Sequence, residues 1–388
     1  MDVIYLDNNA TTQVDKGVLD EMLPYFHQFY GNPSSMHTFG GKVAYKLKEA
    51  RQNVAKLLGA TAEEIIFTSC GTESDSTAIH SAIKAQPDRK HIVTTRVEHP
   101  AIMNLYDDLS RRGYSVTYVP VDRNGALNMD VLCESLTDET AIVSIMWANN
   151  ESGVIFPIEK IAEKVKEKGI LFHTDAVQAA GKIPIDMSRV RVDMLSISGH
   201  KIHAPKGIGA LYVRKGTKFQ PFLLGGHQEH GQRGGTENVA SIIGFGAAAR
   251  LAMEKLEEEN TRVRALRDRL EKGLAQRVPC TIINGENQPR LPNTSSISFE
   301  FIEGEAILLM MDELGICASS GSACTSGSLE PSHVLRAMGI PFTAAHGTIR
   351  FSLSIYNTEQ EIDFVVEKLP PIIEKLRQMS PFWEQKKA

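Results

Sequence analysis

Five cysteines are scattered over 388 residues, an odd number with no C-x-x-C pair. Neither a disulfide framework nor a four-cysteine zinc site is built from such a set; reduced thiols are expected, one of them free to react. No apolar run approaches the roughly 18 residues of a membrane span. The first residues, Met1-Asp2-Val3-Ile4-Tyr5-Leu6-Asp7, hold no basic region and no long apolar stretch. A signal peptide is therefore not expected, and a cytoplasmic location is. The net charge is only −5, so neither nucleic acid nor an anionic membrane is expected as the main partner. Low-complexity tracts and internal repeats are also absent. What remains, 42% hydrophobic and 23% charged residues, is ordinary for a folded chain, and the length exceeds that of one small core.

The first half alternates the two periodicities. Helical spacing covers about 41 to 58 and 158 to 168. Strand patterns lie at 65–68, 91–95, 115–121, 141–147, 171–174, 194–198 and 210–213. Strands separated by helices predict an α/β fold with a mostly parallel seven-stranded sheet and a ligand at the strands' carboxyl ends. A long charged helical pattern from 247 to 277 leads into a smaller α+β region, with strands at 295–301 and around 349–353 and a helix at 304–314. A last helix, about 359 to 379, is expected to break near Pro370-Pro371. The expected division is a large domain of residues 14–255 and a small one of residues 1–13 and 256–388.

The chemistry begins at two strand ends. His173-Thr174-Asp175-Ala176-Val177-Gln178 ends one strand, and Ser196-Ile197-Ser198-Gly199-His200-Lys201 ends the next. An acid and a lysine so placed suit pyridoxal 5'-phosphate: the lysine holds the cofactor as a Schiff base, and the acid keeps the pyridine nitrogen protonated. After the 65–68 strand, Ser69-Cys70-Gly71-Thr72-Glu73-Ser74 opens a helix. Its free N–H groups offer an anion site at Gly71 and Thr72, although a plain helix cap has the same composition. Gly-rich 227–236, holding Arg233 and Thr236, is a further phosphate-ready piece. His99, after the 91–95 strand, suits ring stacking and proton transfer. Gln178, three residues past Asp175, shares a face with it if a helix starts there, and Asn150 ends another strand. The pairs His200/His203 and His227/His230 lack a third ligand in a recognised spacing, so no metal is expected.

Cys324 stands in Ser319-Ser320-Gly321-Ser322-Ala323-Cys324-Thr325-Ser326-Gly327-Ser328, a stretch too small and polar to pack a core. An accessible loop thiol is expected there. Arg350, in Gly347-Thr348-Ile349-Arg350-Phe351-Ser352, is an arginine on an apolar strand, suited to a substrate carboxylate.

Together these segments resemble the NifS/IscS family of cysteine desulfurases, fold-type I pyridoxal-phosphate enzymes related to class-V aminotransferases. The likeness runs through Tyr5-Leu6-Asp7-Asn8-Asn9-Ala10-Thr11-Thr12, Gly31-Asn32-Pro33-Ser34-Ser35, Thr72-Glu73-Ser74, Glu98-His99, Ser198-Gly199-His200-Lys201, Arg233-Gly234-Gly235-Thr236 and Gly321-Ser322-Ala323-Cys324. The resemblance implies these roles. Lys201 resembles the Schiff-base lysine, with Lys206 as a rival on composition, Asp175 the pyridine partner and His99 the stacking acid/base. Gln178 matches the contact to the phenolic oxygen, with Asn150 near it. Thr72, Ser198 and His200 match phosphate ligands, and Thr236 matches the one supplied by the other subunit of a homodimer. Arg350 resembles the carboxylate clamp, Asn8 is placed near the substrate, and Cys324 resembles the persulfide-forming nucleophile.

The implied activity is conversion of L-cysteine to L-alanine with transfer of sulfur to Cys324. The onward acceptor is an iron–sulfur scaffold protein of the NifU/IscU kind. His203-Ala204-Pro205-Lys206-Gly207 and Ser328-Leu329-Glu330-Pro331-Ser332-His333 lean toward the nitrogen-fixation branch. Rival readings are a pyridoxal-phosphate aminotransferase of the same fold, a selenocysteine lyase, and a non-catalytic sulfur carrier.

Overall fold

The computed structural model describes residues 3–320 and 331–383. Seven strands form the central sheet in the order Ile65–Thr68, Gly209–Val213, Met194–Ser198, Leu171–Asp175, Thr140–Ser144, His91–Thr95 and Ser115–Val119. All run parallel except Gly209–Val213, which is antiparallel to both neighbours. The inner strands are buried along their length apart from the first residue of two of them, Leu171 and His91, because helices cover both faces. Their carboxyl ends therefore open on one edge, where Asp175 and Ser198 finish adjacent strands.

The helix Val239–Glu258 lies against Thr38–Leu57. Gly246 makes that approach possible, since a Cβ there would stand 2.5 Å from Ala50 Cα. The Val239 helix starts eight residues before the expected 247. Its first turns read Val-Ala-Ser-Ile-Ile-Gly-Phe-Gly and are buried on nearly all sides, so no amphipathic period marks them. A π-turn at Glu259–Val263 joins it to the helix Arg264–Arg277.

The second half of the chain builds an antiparallel sheet in the order Ser319–Ser320, Thr348–Ser352, Thr294–Phe299 and Thr281–Ile283. Ile4–Tyr5 pairs with Ile316–Cys317, which ties the start of the chain to this part. Its core is a separate cluster running from Leu6 through Leu270, Ile297 and Phe351 to Ile373. The separation is not complete: Leu291 and a run of Val334, Leu335, Met338, Ile340, Ala344 and Ala345 pack into the larger core instead.

The last helix, Glu359–Gln378, is continuous through Pro370 and Pro371, so the expected break does not occur. Pro370 has no N–H for the carbonyl of Val366, four residues back. Arg277 Nη1 donates to that carbonyl at 3.2 Å and replaces the lost bond.

Candidate active site

Where the strands end, a cavity of about 340 Å³ is lined by Asn9, Ala10, Cys70, Gly71, Thr72, Asp75, His99, Asn150, Asp175, Gln178, Ser198, His200, Lys201 and Arg350, with Met146, Ala148 and Val177. Each arrives by a local rule. Asp175 is the last residue of its strand. Lys201 ends the single turn Gly199–Lys201 that follows the next strand. Gly71 and Thr72 open the helix Gly71–Ala85, whose N-cap Cys70 makes no side-chain capping bond. A Cβ on Gly71 would meet Val177 Cγ2 at 3.0 Å and narrow the cavity. No helix starts after Asp175; the chain makes a turn, closed by Ala179 and Ala180 N–H groups on the Ala176 carbonyl. That turn still brings Gln178 to the cavity, where its Nε2 donates to the Asn9 carbonyl at 3.1 Å.

Two of the expected residues stand elsewhere. Asn8 does not line the cavity. Its amide donates to the Ser352 carbonyl at 2.9 Å and to that of Tyr5, and so pins the chain start. Asn9 and Ala10 take the wall position, and their carbonyls accept from Lys201 Nζ at 2.5 and 2.8 Å. Thr236 is exposed and does not line this chain's own cavity. Cys324 lies outside the described residues.

Burial sets the electrostatics. Asp175 is pushed up to about 6 by burial, against the Val177 N–H at 2.8 Å and the Lys201 charge. Burial, then Lys201, lowers His99 to about 4, so the ring is neutral near pH 7. Its Nδ1 accepts from the Ala101 N–H at 3.1 Å, capping the helix that starts at Pro100. That bond leaves the ring proton on Nε2, so His99 offers a donor rather than a base. Burial also lowers His200 to about 4. Glu98, next to His99, is buried and raised to about 8; it accepts from Thr95 Oγ1 and the Met146 N–H.

Arg350 reaches in from the smaller sheet. Nη2 is paired with Asp7 at 2.8 Å and Nη1 donates to the Asn150 carbonyl at 3.1 Å, while Nε is buried with no partner among the described residues. Ser198 Oγ is likewise buried and unpartnered. Asp75 is a wall residue that sequence reading missed. It lies four positions after Gly71, one turn along the same helix face, and that spacing was its only signal. Its carboxyl is raised well above the ordinary value, first by burial and then by the charge of Asp175.

Glu151, behind Asn150, is raised by burial to about 7 despite the Ser332 hydroxyl at 2.5 Å and the Arg350 charge. The unfolded chain releases this proton near the ordinary 4.5, so between those values the fold binds more protons and loses stability as pH rises. Glu151→Gln keeps an acceptor for Ser332 and removes that cost. Its thermal midpoint is expected a few degrees above the parent's at about pH 8, and level with it near pH 4. An equal gap at both pH values would contradict the shift.

Residues 4–365 match the class-V aminotransferase family. The cysteine desulfurase NifS of Azotobacter vinelandii is 60% identical over 98% of this chain and 95% of its own length. The chain belongs to the class-V aminotransferase family, among its cysteine desulfurases. A cysteine desulfurase of a Nostoc strain is 59% identical over 98% of this chain. Among solved structures, a NifS-like protein superimposes with TM-score 0.91 at 40% identity, covering 97% of this desulfurase and all of that chain. The SspA protein, solved in complex with cysteine, superimposes with TM-score 0.81 at 35% identity over 92% of the chain. Among the described residues, no helix is long and apolar enough to cross a membrane, and no cluster of three metal-ligating side chains occurs.

Proposed function

We propose that this desulfurase converts L-cysteine to L-alanine with pyridoxal 5'-phosphate, storing the sulfur on Cys324 as a persulfide. The observation that carries the reading is the convergence of Lys201, Asp175 and Arg350 on one cavity from three separate segments. The residues fit the cofactor. Lys201 Nζ would hold its aldehyde carbon, and Asp175, a buried carboxylate, would face its ring nitrogen. The uncapped helix end at Gly71 and Thr72, with the unpartnered Ser198 hydroxyl and His200, would hold its phosphate. When bound, the cofactor supplies an electron sink for the substrate Cα.

The chain's own groups do the rest. Arg350, with Nε free for a further bond, orients the substrate carboxylate. Lys201 Nζ, held by the Asn9 and Ala10 carbonyls, takes the Cα proton. His99 donates from Nε2 at the cavity wall. The Cys324 thiolate attacks the substrate sulfur; the Cβ–S bond breaks, its electron pair stays with carbon, and protons from the site complete alanine. We further propose a homodimer in which Thr236 serves the partner's phosphate site, a cytoplasmic location, a division into domains at residues 14–255 and the remainder, and an iron–sulfur scaffold of the nitrogen-fixation kind as sulfur acceptor. The high identity to NifS supports the last of these.

The direct test is incubation of purified protein with L-cysteine, following alanine and sulfide with and without a reductant. Stoichiometric alanine, with sulfide released only by the reductant, is the expected result; keto acid in place of alanine would indicate transamination. Arg350→Ala is expected to raise KM for L-cysteine roughly 10- to 100-fold, the value of a charge-assisted hydrogen bond. An unchanged KM would place the carboxylate elsewhere.

A further inference from the structure

Thr236 lies at the end of a Gly-rich segment, 225–236, that is held far more tightly than an exposed loop requires. Glu229 and His230 both have left-handed backbones, with φ of 46° and 55°, in a region that side-chain-bearing residues seldom adopt. Such conformations persist only where surrounding contacts impose them, and here the contacts are specific. The Glu229 carboxylate is almost wholly buried and forms a two-pronged pair with Arg51, at 2.6 and 2.7 Å. It also accepts the Phe67 N–H at 2.9 Å, on the outer strand of the large sheet. Arg51 donates in addition to the Ile65 carbonyl and lies 4.7 Å over the Phe67 ring. A buried pair with all these bonds made is costly to break from either side.

The far end of the segment is fastened independently. Arg233 forks onto Glu73 at 2.8 and 3.0 Å, and Glu73 also accepts the Ser69 N–H, next to the helix end that would hold the cofactor phosphate. Gly225 and Gly234 touch backbone to backbone; a Cβ on Gly234 would stand 2.6 Å from Gly225 Cα. Just outside these fastenings, Thr236 is exposed and Leu224 is 82% exposed.

We infer that Arg51 and Glu229 are positioning residues, which set the Gly-rich segment in the one shape that presents Thr236 to a second copy of the chain. This rests on the proposed role of Thr236. Neither side chain lines the cavity of its own chain, so their effect on cofactor binding acts through the partner's site.

The test uses cofactor-loaded mixed dimers, built from two differently tagged subunits, with cofactor release followed by absorbance. In the first dimer one subunit carries Lys201→Ala and the other Glu229→Gln. The only lysine-bearing cavity then faces an intact segment, and release should match that of a dimer whose sole change is Lys201→Ala. In the second dimer one subunit carries both changes and the other is unaltered. The only lysine-bearing cavity then faces a loosened segment, and release should be about tenfold faster. Arg51→Gln should give the same pattern, and the Arg51/Glu229 double change should be no worse than either alone. Equal release from both dimers overturns the inference, as does faster release from the first, which would place the effect within one chain. Thr236→Ala run in the same two arrangements separates the causes. If it shows the difference while Glu229→Gln does not, the role of Thr236 stands and the positioning role falls. If neither shows it, both fall. If Glu229→Gln does not fold, Arg51→Gln alone carries the comparison.

Discussion

Lys201→Ala is expected to leave a folded protein that loses turnover roughly 10⁴-fold and releases its cofactor on gel filtration. The lysine is placed by the short turn Gly199–Lys201, which follows a fully buried strand and brings Nζ between the carbonyls of Asn9 and Ala10. These acceptors orient the amine without neutralising it. Among the described residues, no other lysine lines the cavity. The strand before it and the turn that carries it are held by backbone hydrogen bonds, so the cofactor-free variant should still fold. Borohydride treatment of the loaded parent should add pyridoxyl mass to the peptide containing Lys201. Mass on Lys206, the rival from composition, would overturn the assignment; Lys206 does not line the cavity.

Cys324→Ala is expected to separate cofactor binding from sulfur transfer. None of the cavity groups described above is cysteine apart from Cys70, and the cofactor contacts would all remain. The variant should therefore stay loaded, and its absorbance should still respond to L-cysteine. Alanine formation should fall at least about 10³-fold, because the nucleophile that accepts the sulfur is gone. In the parent, mass spectrometry after L-cysteine should find one added sulfur on the Cys324 peptide, removable by dithiothreitol. The half-buried Cys317, whose thiol is raised first by burial, should stay unmodified. Sulfur on Cys317, or full activity in the variant, would overturn the mechanism.

The parts of the site that were legible in the sequence share one trait: they sit where a strand becomes a turn. Asp175, Ser198, Lys201 and His99 each follow a short buried run, and the Gly71-Thr72 pair opens a helix after another. At such points composition changes sharply, from apolar to small or charged, and a single residue's position relative to the sheet edge can be counted along the chain. Asp75 gave no such signal. It lies inside a helix among small residues, and only its spacing from Gly71 places it on the cavity face. Asn8 and Asn9, adjacent asparagines in an irregular segment, are indistinguishable in the sequence; what separates them is that the Ser352 carbonyl engages the side-chain amide of Asn8. The expected break at Pro370-Pro371 failed for a related reason: the group that rescues the freed carbonyl, Arg277, is 89 residues away.

The sequence by itself determined the order of strands and helices, the edge of the sheet on which the cavity opens, and the chemical kinds of group present there. Those follow from periodicity and from residue types next to one another, both of which are local. Tertiary structure decided which of these groups meet. Arg350 comes from the smaller sheet, Asn9 from the chain start and Lys201 from the large sheet, and no spacing along the chain relates them. Tertiary structure also decided their charge states. His99 and Asp175 would titrate at ordinary values in an open chain; burial, with Lys201 beside them, holds one neutral and brings the other to about 6. Burial is a property of everything packed around a group, and packing is settled only when the whole chain has folded.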